Sequence, residues 1–180
     1  MKLHLGCGKR YIPGWVHVDL DWFEHIDFNS PVYPLDIFED SVADIIYASH
    51  ILEYFDDAEA EMVLLEWARV LKPGGIIRLA VPNFETLIEI YEITKSIKTI
   101  VGPLYGKMII NDNSTIYHKT VYDFSKLEKL LLKTGFIQIC HFDWRDTEHS
   151  SVDDHSQAYF PHMNKEDGKL VSLNVEARLK

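Results

Sequence analysis

Gly6 and Gly8 stand one residue apart directly after the apolar run Lys2–Leu5, and a second apolar run ends at Asp19, eleven residues beyond Gly8. Glycine takes φ > 0 at no steric cost and lets a ligand approach the backbone. Three readings fit this pair. It can be a plain tight turn. A dinucleotide-binding turn wants a third glycine three residues on, with a helix behind it. That position holds Tyr11, and Pro13-Gly14 cuts off a long helix, so a pyrophosphate lacks its usual helix N-terminus. The third reading is a turn beneath a nucleoside-like ligand, with Asp19 taking hydrogen bonds from ribose hydroxyls. A carboxylate only accepts, which suits a donating diol. Ligands in open α/β sheets lie outside the carboxyl ends of the strands, where both features sit.

Histidine titrates nearest neutrality and is the first choice for a general base. His50 follows the apolar run 44–49, and His118 sits in "IYHKTVYDF". The stretch 143–162, "DWRDTEHSSVDDHSQAYFPH", mixes Asp143, Arg145, His149, Asp153, Asp154, His155, Tyr159 and His162 with aromatics. His149 and His155 join His50 and His118 as candidate catalytic residues. Arg145 can clamp a phosphate or carboxylate with two parallel hydrogen bonds. Trp144 and Tyr159 can stack on a sugar or base, and His162 closes the stretch as a further substrate contact. His149, Asp153, Asp154 and His155 offer metal ligands too, but their spacing matches no metal signature, so no metal is expected. The competing reading of each histidine is a structural hydrogen bond, and of the stretch a solvated loop.

These residues need elements to hold them. A chain of 180 residues, 47 % apolar, suits one domain spanning 1–180. The net charge of −10, without a basic window, argues against a nucleic-acid partner. Apolar runs are only a few residues long, so no membrane span is expected. The first residues lack the apolar core of a signal peptide. Two cysteines, Cys7 and Cys140, make no disulfide framework, and a reducing cytoplasm is the expected setting.

Strands are expected at Lys2–Leu5, 15–20, 44–49, 76–81 and 136–142, with an alternating last strand over 171–179. Asp56 and Glu59 form a capping-box pattern ahead of a helix that presents Ala58, Met62, Leu65 and Ala68 on one face and stops at Pro73-Gly74-Gly75. Asn83 caps a helix carrying Phe84, Leu87, Ile88 and Tyr91. Ser125 with Glu128 starts another over 126–134. An irregular lid segment around 98–122, including "NDNST", and a substrate loop over 143–168 complete the chain. Strands alternating with helices predict an α/β sandwich with a mostly parallel sheet.

"LHLGCGKR…GWVHVDLD", "DSVADIIYASHILEYF" and "EWARVLKPGGIIRLAVPN" together resemble class I S-adenosylmethionine-dependent methyltransferases, in particular small bacterial and phage-type members. The likeness is strong over residues 3–97 and continues through "FSKLEKLLLKTGFIQI". It implies a Rossmann-like three-layer sandwich, a seven-stranded sheet with an antiparallel last strand, and S-adenosyl-L-methionine as cofactor. Carried over, Gly6, Cys7 and Gly8 contact the cofactor and Asp19 holds the ribose, with Asp21 second. Ser49 and His50 stand where the methionine end meets the substrate, and Asp36, with Ile37 and Phe38, is placed at the adenine. The family's third glycine is replaced by Arg10, and the span to Asp19 leaves little room for a first helix. The implied activity is methyl transfer to a small or medium-sized acceptor, with a sugar of a surface polysaccharide as one class. A non-catalytic cofactor-binding module with the same fold is the alternative.

Overall fold

The computed structural model describes residues 1–110 and 114–180; the first three residues of "NDNST" lie outside them. In chain order the elements are β1 (Lys2–Leu5), β2 (Val16–Asp19), β3 (Phe28–Asn29), β4 (Ala43–Ser49), α1 (Asp57–Val70), β5 (Leu71–Pro82), α2 (Phe84–Thr94), α3 (Val101–Tyr105), β6 (Met108–Ile110), β7 (Ser114–Ile116), α4 (Phe124–Lys133), β8 (Phe136–His141), β9 (Tyr159–Phe160), β10 (Lys169–Leu170) and β11 (Ser172–Leu179). Seven strands form one sheet in the order β3-β2-β1-β4-β5-β11-β8. The pairings are parallel except for β11, which runs antiparallel to both β5 and β8. The expected seven-stranded sheet with an antiparallel last strand is present. Strand order reverses between β1 and β4, so their carboxyl ends open the crevice where ligands settle in such sheets.

One sheet face carries Leu3, Leu5, Val18, Ile46, Ala48, Ile77, Leu79 and Val81, buried together with α1 and α4 residues. α1 begins as its sequence dictates. Asp56 Oδ1 accepts from the Ala58 and Glu59 N–H groups, and Glu59 Oε2 accepts from the Asp56 N–H at 2.8 Å. Its buried face differs from the expected one. Ala60, Val63, Leu64, Trp67 and Val70 face the sheet, while Ala58, Met62 and Leu65 are exposed. The helix carries two apolar stripes of helical spacing, and the one bearing Trp67 buries more surface. α1 also ends at Val70 rather than at Pro73-Gly74-Gly75. That bend forms a register slip at the entry to β5 instead. In α2, Leu87 and Ile90 are buried while Ile88 and Tyr91 face outward, and α4 is capped by Asp123, not Ser125.

The other face is covered without regular helices. No helix forms between β1 and β2. Ile12 and Trp15 from that connection, with Phe142 and Val152, pack on Ile45 and Tyr47. The 143–168 stretch supplies two short 3₁₀ turns and the first strand of the β9–β10 hairpin, so a largely irregular segment makes the third layer. Among the described residues no helix is long and apolar enough to cross a membrane.

Candidate active site

The turn after β1 brings Gly6 and Gly8 to φ +63° and +54°. The Gly6 N–H donates to Val18 O at 2.8 Å, and the Gly8 N–H donates to Asp19 Oδ2 at 2.7 Å. Asp19 Oδ1 accepts from the Asp21 N–H at 2.8 Å. The strand-end carboxylate therefore fixes the turn beside it. Burial holds Asp19 above the usual carboxylate range, and its backbone donors pull the other way. Cys7 is buried with its thiol pushed up to about 12, by burial and then by Asp19, so it is chemically quiet.

At the end of β4, His50 takes a left-handed φ of +56°, rare for a residue with a Cβ. Its Nδ1 lies 3.2 Å from Oε1 of Glu53, one 3₁₀ turn further on. Glu53 is fully buried, and neither of its oxygens has a hydrogen bond of good geometry. On its other side His118 Nε2 stands 3.8 Å from the same oxygen, while His118 Nδ1 lies 2.9 Å from Pro103 O. His50 Nε2 is 3.3 Å from Ser172 Oγ on β11. Ser172 in turn donates to Asn174 Oδ1 at 2.9 Å. The His155 ring stands 5.0 Å from that of His50. Burial, and then the neighbouring His50, bring His155 down to about 4, so it is neutral near pH 7. Burial lowers His118 too, with Glu53 opposing.

A cavity of about 970 Å³ joins these parts. Gly6, Gly8, Asp19, Ser49, His50, His118, His155, Tyr159 and His162 line it, so the fold gathers most of the residues singled out from the sequence. Four are not gathered. Cys7 is buried beneath the turn. Asp36 is exposed, because Arg69 of α1 donates to Leu35 O and Phe38 O and turns the residues between them outward. Arg145 is exposed and engaged with Asp143 and the Tyr159 hydroxyl. His149 is buried on the far sheet face, stacked on Tyr47 with ring centroids 4.1 Å apart. Among the described residues no three His, Cys, Asp or Glu side chains converge as metal ligands. Asp154 accepts from Tyr47 Oη at 2.5 Å and from the Ser156 N–H. Glu53 was legible only as a carboxylate three residues after His50, and Ser172 and Asn174 carried no signal beyond their alternation in a strand.

A parallel sheet with one antiparallel strand at β11, a glycine turn after β1 and an acidic end to β2 decide the architecture. It is the class I methyltransferase fold. The methyltransferase-domain family model matches residues 22–79, from just past β2 into β5. Among solved structures, an S-adenosylmethionine-dependent methyltransferase of Thermotoga maritima is 15 % identical, with TM-score 0.59 over 99 % of this chain and 82 % of its own. An Archaeoglobus fulgidus methyltransferase is 15 % identical, with TM-score 0.58 over 98 % and 85 %. The Burkholderia thailandensis 1,6-didemethyltoxoflavin-N1-methyltransferase, with 1,6-didemethyltoxoflavin and S-adenosylhomocysteine bound, is 14 % identical, with TM-score 0.54 over 99 % and 70 %. No curated protein matches the chain. Within the methyltransferase fold, the matched segment contains Ser49, His50 and Glu53, and the glycine turn lies ahead of it.

Proposed function

We propose that this chain is a cytoplasmic S-adenosylmethionine-dependent methyltransferase acting on a small or medium-sized acceptor, with His50 as general base. The residues fit the cofactor. Gly6 and Gly8 present bare backbone to the cavity, and a Cβ on Gly6 would overlap Ile51. Asp19 takes backbone donors from Gly8, Leu20 and Asp21, and as an acceptor-only group lining the cavity it suits a donating ribose diol. When bound, the cofactor supplies a methyl group made electrophilic by its sulfonium. The chain's own part is to hold the acceptor in line, exclude water and take a proton. His50 Nδ1 faces Glu53, so its Nε2, on exchanging its 3.3 Å contact with Ser172 Oγ for the acceptor, is the nitrogen that receives the proton, and Glu53 stabilises the imidazolium that results. The Burkholderia complex, with acceptor and S-adenosylhomocysteine together, supports one cavity serving both.

The observation that carries this reading is the burial of Glu53 beneath a strained His50. A binding module needs the glycine turn and Asp19 alone. It gives no reason to bury a carboxylate against an imidazole, an arrangement that costs desolvation and is characteristic of catalytic sites. A sugar acceptor draws no support from Arg145, whose guanidinium is engaged outside the cavity. His50→Gln is expected to lower turnover about 10²–10⁴-fold, the usual worth of a general base, with S-adenosylhomocysteine affinity essentially kept. Undiminished turnover removes His50 from this role.

A further inference from the structure

The cavity has two ends of different chemistry. The glycine-turn end offers backbone, Asp19 and His50. The far end is walled by Leu87 of α2, Met108 and Ile110 of β6, Ile116 of β7, and Phe160 and Met163 beyond the 143–158 turns. Polar side chains that reach this end are, among the described residues, mostly engaged, the hydrogen of the Tyr159 hydroxyl being the exception. The Thr99 hydroxyl donates to Ser96 O at 2.7 Å and stands 3.0 Å from the Thr94 hydroxyl. The Tyr159 hydroxyl accepts from Arg145 at 3.1 Å and from Trp144 at 3.3 Å. His118 is tied to Pro103 O. Lys107 and His162 are exposed at the rim, where the outer end of a ligand can stay in water. The imidazoles of His50 and His155 stand where the two ends meet.

An acceptor with many hydroxyls loses its water hydrogen bonds on entering this end and finds few partners there, whereas an apolar body is favoured by its own desolvation. A single donor group, set against His50, is what the junction can satisfy. We propose that the acceptor is an apolar-bodied molecule, aryl or alkyl, carrying one hydroxyl or amine that meets His50, and not a polyhydroxylated sugar. This rests on the methyltransferase reading above. In the reaction the acceptor's oxygen or nitrogen bonds to the methyl carbon as the carbon–sulfur bond breaks. The electron pair of that bond stays on sulfur, and the acceptor's proton goes to His50 Nε2.

The test is calorimetry on the full chain saturated with S-adenosylhomocysteine, titrated separately with 2-naphthol, methyl glucoside and UDP-glucose. We expect 2-naphthol to bind at least about tenfold more tightly than either sugar compound. Ile116→Asn or Phe160→Asn is expected to weaken 2-naphthol about tenfold while leaving S-adenosylhomocysteine binding unchanged. Tighter binding of a sugar compound, no binding of 2-naphthol, or indifference of 2-naphthol to both substitutions overturns the acceptor class while the methyltransferase reading stands. Failure of S-adenosylhomocysteine to bind the unmodified chain overturns both.

Discussion

A fully buried carboxylate without a well-formed hydrogen bond costs free energy, and Glu53 offsets part of that cost against His50 Nδ1 at 3.2 Å. Glu53 does not line the cavity, so its role passes through His50 as a positioning residue. Glu53→Gln keeps the shape and removes the charge. Turnover is expected to fall about 10–100-fold, a share of a base's usual worth, with S-adenosylhomocysteine affinity preserved; a loss confined to cofactor binding contradicts the assignment. Gly6, Gly8, Asp19 and His50 could be placed from sequence because each sits at a strand end, and strand ends follow from local apolar runs. Asp36 could not. Its direction is set by Arg69, more than thirty residues away, which holds the carbonyls on either side of it.

At the level of elements, α3 is held over the cavity by a small set of contacts. Gly106 ends it at φ +39° with the His118 ring against its Cα, so a Cβ there would overlap the imidazole. The Tyr54 hydroxyl donates to Gly106 O at 3.2 Å, and the His118 N–H donates to Tyr105 O at 3.0 Å. Gly106→Ala adds about 1–2 kcal/mol of left-handed backbone cost before the overlap is counted. Hydrogen exchange over 101–106 is expected to quicken about 5–30-fold while the protection of β4 and β5 stays unchanged; unaltered exchange means that Gly106 and His118 do not hold the segment. The sequence predicted an irregular segment here and not α3 or these contacts, since His118 and Gly106 meet only in three dimensions. α1 teaches the same lesson. Met62 and Leu65 share a helical stripe as regular as that of Val63, Leu64 and Trp67, and only the sheet chooses between them.

Across the whole molecule, the layer opposite α1 and α4 is built from imidazole and phenol rings rather than from helices. His4 stacks on Tyr47 with centroids 5.2 Å apart, and His149 stacks on the same tyrosine at 4.1 Å. Burial depresses His4 well below its ordinary value and brings His149 to about 4, matching His155. The unfolded chain, titrating near pH 6.5 at these residues, binds more protons than the folded one between about 6.5 and 4. Their contribution to stability is whole above that window and is lost as pH falls through it. The melting temperature is expected to drop from pH 6.5 towards 4, less steeply in His149→Phe; a flat profile contradicts the neutral burial. The sheet order was legible in the succession of apolar runs, whereas this ring-built layer was not, because Tyr11, Trp15 and His149 carry no helical or strand period. The central claim is that the cavity between the glycine turn and His50 holds a nucleoside-sulfonium cofactor by its ribose. Titration of S-adenosylhomocysteine into the unmodified chain and into Asp19→Ala tests it most directly. One equivalent is predicted to bind the former, and the latter is predicted to bind at least about tenfold more weakly, a loss of about 1.4 kcal/mol; no binding to the unmodified chain, or equal affinity for both, contradicts the account.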